Sequence, residues 1–151
     1  MNRLDKAINI AYNGHKSQKD KSGMPYIGHV MRVSAAGETD DEKIVGVLHD
    51  LVEDTMWTFE MLSDEGFSED IIEALKCLTK CSEDEPYDKF IGRVSRNPLA
   101  IRVKLNDLLD NMDITRLDNI TLKDAKRLNK YLHAYKKLKK IKDLNPPQEL
   151  K

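Results

Sequence analysis

Apolar residues recur along this chain at intervals of three and four, and no stretch alternates as a half-buried strand would. That spacing builds one-sided helices. Leu4, Ala7, Ile8, Ala11 and His15 share a face over residues 2–18. Residues 19–25, with Ser22, Gly23 and Pro25, read as a loop. A short helix follows over Tyr26 to Ala36, with Ile27, Val30, Met31 and Ala35 inward and Gly37 as its stop. Thr39 caps the next, with Glu42 three residues on; the acids of its first turn suit the helix dipole. This helix is predicted to run unbroken to about Asp54, and its Ile44, Val45, Val47, Leu48, Leu51 and Val52 make it central.

Thr58 caps a segment ending at Gly66, and Ser68 caps one carrying Ile71, Ile72, Leu75 and Leu78. Cys77 and Cys81, four apart, are expected on that helix as two free thiols, since one helix face resists joining them. Tyr87 to Ser95 forms another helix. Asn97-Pro98, a cap with proline at the first helical position, opens one predicted to reach Arg116. Thr121 with Asp124 opens the last, whose apolar stripe is Leu122, Ala125, Leu128, Leu132, Tyr135, Leu138 and Ile141. Asn145-Pro146-Pro147 stops it. The expected fold is all-α, a single bundle of about seven or eight helices over residues 1–142, with 143–151 as a flexible tail.

At 151 residues and 40% apolar, the chain can bury a core, and no apolar run approaches the roughly 20 residues of a spanning helix. No secretory signal pattern opens it, so a cytoplasmic location is expected and no membrane partner. The net charge of −1 gives no global argument for nucleic acid, although residues 121–142 hold nine Lys and Arg against one acid, Asp124. The cluster Lys136, Lys137, Lys139 and Lys140 reads as a solvated face. Trp57 and Tyr26 read as packing residues, and His133 as structural or exposed.

The chemistry concentrates in a few polar residues set among apolar ones. His49-Asp50 sits inside the central helix among Val and Leu, and neighbouring helical positions point about 100° apart. A divalent cation between them would accept both side chains. Asp107 lies in a second apolar helix beside Leu105 and Leu108, and His29 lies on the short helix after Pro25-Tyr26. Two imidazoles and two carboxylates from His29, His49, Asp50 and Asp107 suit Mn²⁺, Fe²⁺ or Zn²⁺ with positions open to water. Such an ion yields hydroxide near neutral pH, and phosphoester or phosphoanhydride hydrolysis is the natural chemistry. Glu53 and Asp54 follow His49 and Asp50 by four residues, one turn along the same face, where they can act as catalytic base and acid.

These residues carry a resemblance. Segments 22–29 (Ser22-Gly23-Met24-Pro25-Tyr26-Ile27-Gly28-His29), 48–55 (Leu48-His49-Asp50-Leu51-Val52-Glu53-Asp54-Thr55) and 101–112, ending Asn106-Asp107-Leu108-Leu109-Asp110-Asn111-Met112, are similar to those of the HD-domain metal-dependent phosphohydrolases. Within them the chain resembles the hydrolase domain of RelA/SpoT-type alarmone enzymes, above all the stand-alone small alarmone hydrolases. The likeness spans roughly residues 3–140 and implies removal of the 3′-pyrophosphate of guanosine tetra- or pentaphosphate, usually with Mn²⁺. It implies His29, His49, Asp50 and Asp107 as metal ligands and Glu53 and Asp54 as catalytic acids. Lys21 and Ser22 fall in the nucleotide-binding loop and Asn111 at the sugar, while His15 occupies the place of a histidine that is not a ligand. Lys104, three residues before Asp107, is a further candidate for phosphate.

Several positions depart from the family. Asp20 stands where an arginine that helps hold the purine is common, Leu108 where an arginine is common, Asp110 in place of histidine, and Asp113 where a basic residue is common. Each change removes positive charge near a site for an anionic substrate. The ligands are intact, so a rival substrate is a different nucleotide or a pyrophosphorylated metabolite, and Asp20 could meet a base amino group. A nucleotide- or RNA-binding module without turnover, motivated by the basic last helix, ranks behind both.

Overall fold

The computed structural model describes residues 2–145. Among these described residues nine α-helical segments follow one another: α1 (Arg3–Gly14), α2 (Ile27–Ala35), α3 (Asp40–Leu48), α4 (Leu51–Asp54), α5 (Phe59–Asp64), α6 (Glu69–Leu78), α7 (Tyr87–Val94), α8 (Pro98–Asn111) and α9 (Leu122–Leu144). A 3₁₀ turn covers Ile114–Arg116. The only strand-like pairing among the described residues is an isolated bridge between Lys19 and Pro25. The all-α bundle expected from the sequence is therefore the fold found.

The caps read from the sequence are in place. The side chains of Thr39, Thr58, Ser68, Asn97 and Thr121 each accept the backbone N–H three residues on, and Thr121 and Asp124 complete a reciprocal box. Each such cap contributes about 1 kcal/mol by satisfying an otherwise orphaned donor. α3 packs against α1, α2, α6 and α8, and α8 carries α9 on its other side. Ile44, Val45, Val47 and Leu48 of α3, Val30 and Val33 of α2, and Val103 and Leu108 of α8 are buried where these helices meet.

The structure corrects several expectations. The helix predicted from 40 to 54 breaks at His49-Asp50 into α3 and the single turn α4. His49 Nδ1 lies 2.6 Å from the Gly46 carbonyl, the oxygen that the Asp50 N–H would use in an unbroken helix. α1 ends at Gly14, four residues early, and α8 ends at Asn111, with Arg116 in the separate 3₁₀ turn. Cys81 is not helical: α6 stops at Leu78, where the Arg93 guanidinium donates to the Lys76 and Thr79 carbonyls, both at 3.0 Å. Both thiols are free. On α9 the buried residues are Ala134 and Leu138, whereas Leu122 and Leu132 are exposed; the apolar stripe is longer than the neighbour that covers it. α9 runs to Leu144 with Asn145 as its cap, where the sequence places the stop, and residues 146–151 of the expected tail lie outside the described residues.

Candidate metal centre and substrate cleft

Close contact of α2 and α3 brings His29 and His49 together. Gly46 of α3 faces the backbone of α2, and a Cβ there would lie 3.1 Å from both N and Cα of Ser34. Such a contact is tighter than a side chain normally makes, so a Cβ would push the two backbones apart and glycine lets them approach. His29, near the start of α2, and His49, just past the end of α3, then meet edge to face with ring centroids 5.4 Å apart. Asp107 reaches them from α8, and Asp50 from the break in the central helix.

The four donors converge. One oxygen or nitrogen from each of His29, His49, Asp50 and Asp107 lies within 4.8 Å of every other. His29 Nε2 is 3.0 Å and His49 Nε2 3.2 Å from Asp107 Oδ1, and His49 Nε2 is 3.0 Å from Asp50 Oδ2. Neighbouring ligands at about 2.1 Å from one ion, 90° apart, stand about 3 Å from each other, so these spacings suit a shared cation. The hydrogen bonds on the far side of each ring support the same reading. His49 Nδ1 faces a carbonyl, which can only accept, and His29 Nδ1 faces a carboxylate oxygen of Asp110 at 2.6 Å. Both Nδ1 atoms therefore carry the proton, and both Nε2 lone pairs point at carboxylate oxygens. Four acceptors facing one another call for a cation or protons between them, so the donor set fits a divalent ion.

The electrostatics agree. Burial alone would lower the His49 pKa, but Asp50 and Asp107 outweigh it and raise it well above 6.5. Burial is likewise opposed at His29, where Asp107 and Asp110 win. Burial would raise Asp50, yet His49 holds it down at about 2. Asp107 lies well below the ordinary carboxylate range because Lys104 and His49 outweigh its burial. Asp54 is pushed up to about 6 by burial and by the charges of Asp50 and Glu53, and Glu53 is raised by burial and Asp50.

A cleft of about 420 Å³ opens over the cluster. Lys21, Ser22, Glu53, Lys104 and Asn111 line it; Asp54 does not, although it lies close enough to feel Asp50. Lys104 is not a solvated lysine. It is buried, donates to Asp107 Oδ2 at 2.8 Å, and sits 5.0 Å from the centre of the Phe90 ring. Asn111 Nδ2 donates to Asp107 Oδ1 at 3.0 Å. His15 stays out of the cluster, buried with Nδ1 2.6 Å from Gln18 Oε1.

The departures from the family find places. Asp20 Oδ1 accepts the backbone N–H groups of Ser22 and Met24 at 2.9 and 3.0 Å, so this carboxylate shapes its own loop, which turns through Gly23 at φ +83°. Leu108 is core, with no exposed surface. Asp113 caps the 3₁₀ turn and pairs with Arg116 at 3.2 Å. Sequence reasoning missed Tyr26, whose hydroxyl donates to Asp50 Oδ2, and Arg32, which grips Asp110 with two nitrogens at 2.8 and 3.2 Å. It also missed a group of cations: Lys80, Arg127 and Lys130 line the same cleft, with Lys130 Nζ 4.6 Å above the Tyr87 ring. Burial and neighbouring cations lower both Lys21 and Lys130. Spacing could have flagged Arg32 and Asp110, each one helical turn beyond a ligand. Nothing local marks Lys80.

Comparison with known proteins adds the rest. The fold matches over 95% of this chain a solved structure described as a metazoan ortholog of SpoT that hydrolyses ppGpp, with a TM-score of 0.72, 22% identity and 96% of that chain covered. A probable GTP pyrophosphokinase of Mycobacterium leprae is 32% identical over 125 residues, 75% of this chain. A guanosine-3′,5′-bis(diphosphate) 3′-pyrophosphohydrolase of Aquifex aeolicus is 32% identical over 120 residues, 72% of this chain. This chain is an HD domain of the RelA/SpoT type. It spans about a sixth of the length of those two relatives, 16% and 17%. No family model matches it. Among the described residues of this HD domain, no helix is long and apolar enough to cross a membrane.

Proposed function

We propose that this chain is a metal-dependent phosphohydrolase that removes the 3′-pyrophosphate of guanosine tetra- or pentaphosphate, leaving GDP or GTP. The observation that carries the reading is the division of one cleft. His29, Asp50 and Asp107, with His49 buried beside them, form its acidic floor, and Lys21, Lys80, Arg127 and Lys130 line its cationic wall. A ligand with phosphates at two places is the chemistry that such a cleft recognises, the wall holding one anion while the other lies at the floor. The relative named as a 3′-pyrophosphohydrolase supports the choice of substrate.

The cluster's residues would hold Mn²⁺, with Zn²⁺ or Fe²⁺ as alternatives, and the ion supplies Lewis acidity and lowers the pKa of water. In the reaction, water adds at the phosphorus joined to the ribose 3′-oxygen. The P–O3′ bond breaks, the 3′-oxygen takes a proton, and pyrophosphate leaves. Glu53, on the cleft wall next to Asp50, orients the water and accepts its proton. Asp54, raised to about 6, exchanges that proton near neutral pH. Lys21 and Ser22 contact the nucleotide from their loop and Asn111 contacts its sugar. Lys104 holds Asp107 and adds positive charge towards phosphate. The protein works in the cytoplasm, on a small molecule rather than on nucleic acid.

Asp20 favours a second reading. Its carboxylate ties its own loop where the family commonly has an arginine on the purine, and this would suit a different nucleotide or a pyrophosphorylated metabolite. A panel of guanosine, adenosine and inosine nucleotides with and without a 3′-diphosphate, read for pyrophosphate and phosphate, separates the two. Guanosine tetraphosphate turned over at least as efficiently as any rival supports the first reading. A tenfold or larger preference for another compound overturns it.

A further inference from the structure

We propose that Asp110 is a positioning residue for His29, a carboxylate that fixes the imidazole with Nε2 towards the metal cluster and is itself held by Arg32 and Arg116. The inference rests on reading His29, His49, Asp50 and Asp107 as a divalent-cation site.

The two ligand imidazoles are backed differently. His49 Nδ1 leans on a neutral carbonyl, Gly46, at 2.6 Å. His29 Nδ1 leans on an ionised carboxylate, Asp110 Oδ2, also at 2.6 Å. That carboxylate is largely buried, its side chain 11% exposed. Arg32 Nε holds its other oxygen at 2.8 Å, while Arg116 donates to the Asp110 backbone carbonyl at 2.7 Å and stands 3.4 Å from Oδ2. His29 and Arg32 sit one turn apart on α2, so a single residue of α8 receives both.

The consequence is chemical. An anionic partner on Nδ1–H fixes the tautomer and makes Nε2 a stronger donor, and losing such a partner commonly weakens metal binding 10- to 100-fold. The family's histidine at this position would bring no permanent negative charge. What looked like a loss of positive charge beside the substrate is thus an anion already neutralised by two arginines and directed at a ligand.

The test is Mn²⁺ affinity of the full chain, read from the electron paramagnetic resonance of free Mn²⁺, for the wild type, Asp110→Asn, Arg32→Gln and His49→Ala. We expect Asp110→Asn to bind about 10- to 100-fold more weakly and Arg32→Gln to lose only a few-fold. In the Zn²⁺-loaded wild type, which needs no variant to fold, the His29 Nδ1–H proton resonates downfield of that of His49. Asp110→Asn moves the His29 resonance and leaves that of His49 in place. Wild-type affinity in Asp110→Asn, with binding lost in His49→Ala, overturns the positioning role and leaves the metal site standing. Unchanged binding in His49→Ala overturns the metal site itself. Equal losses of affinity and melting temperature in Asp110→Asn and Arg32→Gln would make Asp110 a strut between α2 and α8, and overturn the proposal. So would a His29 resonance no further downfield than that of His49.

Discussion

Lys104 and Asp107 form a buried ion pair, Nζ to Oδ2 at 2.8 Å, one helical turn apart on α8. The pair divides the carboxylate: its outer oxygen neutralises the lysine, and its inner oxygen faces both histidines. Removing the lysine leaves a buried anion short of one partner. Lys104→Met, which keeps packing on Phe90, is expected to lower the stability of the metal-free protein by about 3 kcal/mol. Added Mn²⁺ should restore much of that, because the ion supplies the missing positive charge. Urea unfolding with and without Mn²⁺ measures it; equal losses in both would contradict the account.

Stability of the metal-free protein should fall with rising pH in a window set by the histidines. His29 and His49 have pKa values raised above 6.5 in the fold. A raised histidine contributes stability that is complete below its unfolded value and is lost as pH climbs through the folded one. Metal takes the place of those protons, so the Mn²⁺-loaded protein should not show the loss. Melting temperatures from pH 6 to pH 9, with chelator and with Mn²⁺, check this; parallel curves would contradict it.

Asp54 should trade stability for turnover. Its carboxyl is raised to about 6, so its ionised form costs stability above that pH, and the cost vanishes below 3.8. The carboxylate is only partly shielded from solvent, so the cost is screened to about 1 kcal/mol or less. Asp54→Asn is expected to melt slightly higher at pH 8 and to lose about 10²- to 10⁴-fold in turnover. A variant that keeps full activity removes Asp54 from the chemistry.

Gly46→Ala should loosen the site without touching a ligand. A methyl group 3.1 Å from the Ser34 backbone forces α2 and α3 apart, at a cost of about 1–3 kcal/mol. Because α2 carries His29 and α3 leads into His49, Mn²⁺ affinity should fall as well. A crystal structure of the variant with Mn²⁺ reports the separation of the two rings.

The sequence was most legible where local physics decides. Thr39, Thr58, Ser68, Asn97 and Thr121 start helices because a hydroxyl or amide in that place satisfies a donor three residues on, and no tertiary contact overrides it. The four candidate ligands stood out as polar residues in apolar helices. The break at His49-Asp50 was hidden: both flanks are strongly helical, and the cause is a side chain turning back on Gly46. The cationic wall was hidden for another reason. Arg127 and Lys130 share α9, but Lys80 follows α6, and only the packing of these separate helices around α8 brings the three to the cleft lined by His29 and Asp107. The bonds of Asp20 to the Ser22 and Met24 N–H groups are local, whereas the grip of Arg32 on Asp110 joins α2 to α8 and was hidden because tertiary structure sets it.

The central claim is that one cleft uses its His/Asp cluster to cut a 3′-pyrophosphate. Pyrophosphate release from guanosine tetraphosphate by the Mn²⁺-loaded wild type, beside Asp107→Ala and Glu53→Gln, tests it most directly. The account predicts release by the wild type, loss in Asp107→Ala together with its metal, and loss in Glu53→Gln with its metal retained. No release by a wild type that carries Mn²⁺, or undiminished release by Asp107→Ala, would contradict it.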